Sequence, residues 1–224
     1  MREIVLDTET TGLYPNRGDR IVDVACIELI NKTPKRQFQR FVNPERDVPI
    51  EAFQVHNLST EFLQSYPVFD AIADEFLAFI EDSPLIIHNA DFDMGFLNAE
   101  LTRSGKPTLG SDRALCTMQM ARRRFPGQQA NLDALCRRFG IDNSHRVKHG
   151  ALVDCELLAE VYLELSGGRQ TGLALASAAV DAGVSITRVA RPARAHAASE
   201  EELAAHAALL TKLKNPLWSA GKDA

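Results

Sequence analysis

Asp7 and Glu9 are the residues of this sequence whose types and spacing point first to chemistry. They stand two apart at the end of the apolar run Ile4, Val5, Leu6, which reads as a strand. Residues alternate faces along a strand, so the two carboxylates point the same way. Side by side they repel each other unless a cation lies between them, and an oxygen-rich site suits Mg²⁺ or Mn²⁺. Taken alone, an Asp-x-Glu pair more often means one acid in a turn and one in solvent.

Three further segments change that balance. His88-Asn89-Ala90-Asp91-Phe92-Asp93 lies where a short apolar run gives way to a helix. Strand ends in open sheets are where ligands collect, although either Asp alone reads as a helix N-cap. Residues 126–139 contain Asn131-Leu132-Asp133-Ala134-Leu135, which reads as a capped core helix. His149-Gly150-Ala151-Leu152-Val153-Asp154 puts a histidine in a loop and an acid in the first turns of an otherwise apolar helix. A buried carboxylate needs a partner.

On these residues the chain resembles the DEDDh 3′→5′ exonucleases. Val5-Leu6-Asp7-Thr8-Glu9-Thr10-Thr11-Gly12-Leu13, residues 88–93 and residues 149–154 look like that family's three motifs, in order. Matched residue by residue, the resemblance implies that Asp7, Glu9, Asp93 and Asp154 bind metal and that His149 is catalytic. It implies an RNase H-like fold, two Mg²⁺ or Mn²⁺ ions per site, and hydrolysis of the terminal phosphodiester of DNA to a nucleoside 5′-monophosphate. Asp7 would bridge both ions, with Glu9 and Asp154 on one and Asp93 on the other. His149 would act as general base, which suits an imidazole because it titrates near neutrality.

Within the family the likeness is strongest to members that proofread for a bacterial replicative polymerase. Glu51-Ala52-Phe53-Gln54-Val55-His56 resembles their substrate-contacting segment, which implies that Glu51 and His56 join Asp7, Glu9 and Asp154 in holding the substrate. Phe125-Pro126-Gly127 and Gly167-Gly168 are similar too. Ile50 stands where proline is common, and Asp91 is an extra acid. The resemblance further implies binding to the catalytic polymerase subunit and a small accessory subunit. Other readings are a DEDDh exoribonuclease acting on RNA 3′ ends, or a non-catalytic binding module on a nuclease fold. The first usually lacks a long tail, and the second would have lost one of the four acids.

The elements that must position these residues are legible in the pattern. Residues 3–7, 20–30 and 37–42 read as strands, with a turn at 31–34. Residues 70–81 predict an amphipathic helix and 85–88 a short buried strand. Helices follow over 92–103, from Asn131 to Gly140, and from Gly150 to Gly167. The order predicts an α/β domain, a mixed β-sheet flanked by helices, over residues 1–168.

Residues 169–198 are rich in Ala, Ser, Gly and Arg and predict a flexible linker. Within it, residues 170–175, Gln-Thr-Gly-Leu-Ala-Leu, resemble peptides that dock on a bacterial sliding clamp. Ser199 and Glu202 form a capping box, opening a helix with Leu203, Ala207, Leu210 and Leu213 on one face. Pro216 closes it, and Leu217 and Trp218 follow. An apolar stripe on a lone helix suggests a partner groove, so 199–218 is expected to bind the polymerase.

The chain has 224 residues, 45% hydrophobic and 25% charged, with a net charge of −5. That charge is weak evidence against nucleic-acid binding, because bound cations and local arginines can neutralise phosphate. No apolar run spans a membrane and no signal peptide is apparent. Cys26, Cys116, Cys136 and Cys155 form no Cys-x-x-Cys pair, which fits buried thiols in a reducing cytoplasm.

Overall fold

A computed structural model describes residues 1–144, 149–168 and 197–214. The chain divides into two units, 1–171 and 172–224.

The first unit is built on a five-stranded sheet. Its strands are β1 (Arg2–Thr10), β2 (Ile21–Ile30), β3 (Thr33–Phe41), β4 (Leu85–Ile87) and β5 (Ala114–Cys116), in the order β3-β2-β1-β4-β5. β1, β2 and β3 pair antiparallel, whereas β4 and β5 run parallel to β1. This is the mixed sheet that the sequence predicts. β2, β4 and the Ile4–Leu6 stretch of β1 are mainly apolar because both faces of the sheet are covered. Ile4, Leu6, Val24, Cys26, Leu85 and Ile87 pack into one cluster with α3 (Phe69–Ile80) and α4 (Ala90–Arg103). Val5, Ala25, Ile27, Leu29 and Ile86 pack into the other with α6 (Leu132–Phe139) and α7 (Ala151–Leu165).

Alternation along β1 then decides what its end can reach. Asp7 and Glu9 continue the face of Val5, toward α7. Thr8 continues the face of Ile4 and Leu6, toward α4. Arg20 clamps α4 to the start of β2: its Nε and Nη2 donate to the two carboxylate oxygens of Glu100 at 2.7 and 3.0 Å.

Several boundaries differ from the expectation. The turn before β3 is confined to Asn31 and Lys32, both at positive φ, and Pro34 already pairs with Leu29 in the strand. α4 begins at Ala90, with Asn89 as its N-cap residue, so neither Asp91 nor Asp93 caps it. Four further elements are α1 (Ile50–His56), α2 (Thr60–Leu63), α5 (Thr117–Arg124) and β5. The expected cap of α6 is present: Asn131 Oδ1 accepts from Ala134 N at 2.8 Å, and Gly140 closes the helix at φ 67°. All four cysteines are free thiols.

In the second unit, α8 (Glu200–Leu210) opens on the expected capping box of Ser199 and Glu202. It stops before Leu213, which lies in a turn. There the Thr211 hydroxyl donates back to Ala208 O at 2.8 Å. Leu203 and Leu209 are exposed. Residues 169–196 of the expected 169–198 linker, with the Gln170-led peptide, and Pro216, Leu217 and Trp218 lie outside the described residues. Among the described residues, no helix is long and apolar enough to cross a membrane.

Candidate active site

The motif residues converge at the end of β1. Glu9 is 8% exposed and Asp7 is half-buried. Asp154, on the first turns of α7, is buried, and its Oδ2 lies 3.4 Å from His149 Nδ1. Ligand atoms of Glu9, His149 and Asp154 all fall within 4.8 Å of one another.

Asp93 approaches from α4, on the other face of the sheet. Its Oδ1 accepts from the Thr8 backbone N–H at 3.1 Å and from the Thr8 hydroxyl at 2.8 Å. Thr8 therefore fixes Asp93 while its neighbours Asp7 and Glu9 face α7. Asp93 is 2% exposed, and burial pushes its carboxyl up to about 7 despite those hydrogen bonds. A cation beside it would favour the charged form again. Asp91, two residues earlier, is exposed.

A cleft of about 510 Å³ opens beside the acids, with Thr8, Glu9, Leu13, Glu51, His56 and Phe92 in its lining. The structure thus brings Glu51 and His56 to the same cleft as Glu9. Glu51 is exposed on the first turn of α1. His56 ends that helix and is 6% exposed; burial lowers its pKa. Its Nδ1 accepts from Leu58 N at 3.1 Å, and its buried Nε2 faces the Thr10 backbone without a well-formed hydrogen bond. The His149 backbone N–H donates to Val55 O at 3.2 Å, which stitches the histidine's loop to α1. Gly12 lets the turn after β1 fold tightly, since a Cβ there would sit 2.3 Å from Asp19 Oδ2. Leu13, beyond it, is 66% exposed.

The donor set is four carboxylates and an imidazole. It fits a hard divalent cation: ligand atoms of Glu9, His149 and Asp154 are clustered, Asp7 and Glu9 face one way, and Asp93 is buried against the neutral Thr8. Sequence reasoning missed two residues of this surround. Thr8 was hidden inside the Asp-Thr-Glu motif, although strand alternation puts it on the other face. Asp23, paired with Glu9 across β1 and β2, is with Glu28 one of two acids in a strand that is otherwise apolar, and it is 1% exposed. That break in the pattern was the available signal.

Comparison with known proteins gives the site its context. The family model described as Exonuclease (RNase_T) matches residues 4–162. A protein named DNA polymerase III subunit epsilon from Salmonella typhimurium strain LT2 is 41% identical, over 98% of this chain and 98% of its own. One of the same name from Rickettsia conorii is 55% identical over 76% of each chain. Among solved structures, the nuclease domain of 3′hExo, a DEDDh family member bound to rAMP, superposes with a TM-score of 0.64. It is 17% identical, over 74% of this chain and 92% of that one. Exonuclease X in complex with 5′ overhanging duplex DNA gives 0.58 at 24% identity, over 72% and 89%. At these identities the structural likeness is one of fold, and it bears out the RNase H-like expectation.

Proposed function

The chain belongs to the exonuclease family, among the epsilon subunits of bacterial DNA polymerase III, and from that premise we propose how its residues carry out proofreading. It is a 3′→5′ exonuclease of a kind that depends on divalent metal. Asp7, Glu9, Asp93 and Asp154 would hold two Mg²⁺ or Mn²⁺ ions, and His149 would be the catalytic base. The observation that supports this best is the convergence of Glu9, His149 and Asp154, from two separate motifs, within 4.8 Å.

The metal, when bound, polarises the scissile phosphate and neutralises charge developing on its oxygens. The chain's own groups do the rest. Thr8 fixes the buried Asp93 carboxylate beside β1. Asp154, whose Oδ2 lies 3.4 Å from His149 Nδ1, would orient the ring and leave Nε2 as the basic nitrogen. Nε2 takes a proton from the attacking water. The side chain is 48% exposed, so it is open to water. Glu51 and His56 line the cleft and hold the 3′-terminal sugar. Leu13, exposed at its rim, offers an apolar surface for the last base. A frayed end enters such a cleft without first being melted, so a mispaired terminus is preferred.

The partners follow from the same premise. Residues 1–168 act as the nuclease domain. Residues 199–218 bind the DNA polymerase III alpha subunit, and α8 contributes its exposed Leu203 and Leu209. Residues 170–175 dock on the sliding clamp across the linker, and a small theta-like subunit joins the nuclease domain. The assembly works in the cytoplasm. The test is release of 3′ nucleotides from a mismatched DNA primer beside an RNA of equal length, with and without Mg²⁺, followed by co-purification with the alpha subunit. Faster loss of the mismatched DNA end and recovery of the complex are expected. Preference for the RNA would favour an exoribonuclease, and no metal-dependent release from either substrate would favour a binding module.

A further inference from the structure

The N-terminus of α7 presents two of the five motif residues, yet its N-cap residue is Gly150, which has no side chain to cap it. Asp23 faces that terminus from across the sheet. It lies on β2, directly opposite Glu9 on β1. Residues paired in this way share a face, with Cβ atoms about 4.5–5.5 Å apart. The Asp23 carboxylate accepts from Gln39 Nε2 of β3 at 3.0 Å. The backbone N–H of Ala151, the first residue of α7, faces the same carboxylate without a well-formed hydrogen bond.

This arrangement is hard to explain as packing. The flanking residues Val22 and Val24 are fully buried and apolar. An apolar residue at position 23 would fill the same space with no charge to desolvate, whereas burial pushes the Asp23 carboxyl up to about 7. An acid kept beside another acid in a dry sheet works against stability. Its contacts run from Gln39 on β3, through β2, to Ala151 between His149 and Asp154.

We propose that Asp23 is a positioning residue that sets the register of the α7 N-terminus against β1, and so holds His149 and Asp154 at their working distance from Glu9. It touches neither substrate nor reacting atoms and acts only through Ala151. This inference rests on the assignment of Glu9, His149 and Asp154 to the working site.

The test uses the full chain and the substitutions Asp23→Ala, Asp23→Asn and Glu9→Ala. Asp23→Ala should lower kcat for 3′-nucleotide release about 10–100-fold, the range typical of groups that orient metal-site residues. KM and metal-free binding of single-stranded DNA should not change; Tm should fall modestly, because Gln39 loses its acceptor, while the chain stays folded at the assay temperature. The His149 imidazole resonances of the metal-free protein should shift, because the pair with Asp154 is no longer held. Asp23→Asn keeps an acceptor oxygen for Ala151 and should recover most of the rate. Native kcat with unmoved His149 resonances in Asp23→Ala would overturn the proposal. So would an Asp23→Asn as impaired as Asp23→Ala, or a rate loss that merely tracks a lower Tm. Glu9→Ala separates the two levels: if it stays active, the site assignment itself fails, whatever Asp23 does.

Discussion

Asp91 and Asp93 are two residues apart, and the chain treats them as different objects. Asp91 is exposed on the first turn of α4, where its charge faces the helix dipole. Asp93 is 2% exposed and bound twice by Thr8. Asp91→Ala should therefore leave nuclease activity intact and cost about 0.3–1 kcal/mol of stability, the size of a dipole contribution. Asp93→Ala should nearly abolish activity in a protein that still unfolds cooperatively, as a paired activity assay and thermal melt would show. Equal losses in both would break the assignment. Thr8→Val keeps the shape of the side chain but removes the 2.8 Å hydroxyl bond. It should lower turnover about 10–100-fold, as loss of a group orienting a metal-site carboxylate does, and an unchanged rate would show that the backbone N–H alone suffices.

At the level of elements, Glu28 ties three strands together. Its carboxylate accepts from Arg36 Nε of β3 at 2.8 Å and from Arg2 Nε of β1 at 2.6 Å. The Arg36 bonds, then those of Arg2, hold its pKa at about 2 against an ordinary value of 4.5. The folded state thus binds this proton less readily than the unfolded chain. The resulting stability is fully present above about pH 4.5 and is lost as pH falls toward 2. Glu28→Gln should melt below the native protein at pH 7, and the gap should close between pH 4.5 and 2 in a series of thermal melts. A gap that does not depend on pH would mean that packing, not charge, is at work.

The same level shows what the sequence made legible. β1, β2, α3, α6 and α7 announced themselves because each carries a long apolar pattern or a cap such as Asn131. α1 and α5 did not. α1 is seven residues long, and only His56 in it is buried. α5 carries three consecutive arginines and buries only Thr117 and Ala121, so its periodicity is faint. β5 is three residues, too short to show alternation. The five motif residues stood out through the ordered resemblance of their three segments to one family, since each alone reads as a turn, a cap or a solvated acid. Thr8 and the Val55 carbonyl were not, because a threonine in a strand and a backbone oxygen carry no signal until the tertiary contact exists.

At the scale of the whole chain, function should divide between its two units. All five motif residues, and the whole sheet, lie within residues 1–171. A chain ending at Gly168 should remain a folded exonuclease with native turnover, yet lose stable association with the alpha subunit on gel filtration. Undiminished association would place the tether in the nuclease domain instead.

The central claim is that His149 moves a proton within a site built by Asp7, Glu9, Asp93 and Asp154, and the rate of 3′-nucleotide release by His149→Ala tests it most directly. That rate should be measured on a mismatched primer across a titration of Mg²⁺ and Mn²⁺, beside the affinity for single-stranded DNA. Loss of a general base predicts a fall of roughly 10²–10⁴-fold, with DNA affinity unchanged and no recovery at any metal concentration. Full recovery in excess metal would make His149 a ligand, and an unchanged rate would remove it from the chemistry altogether.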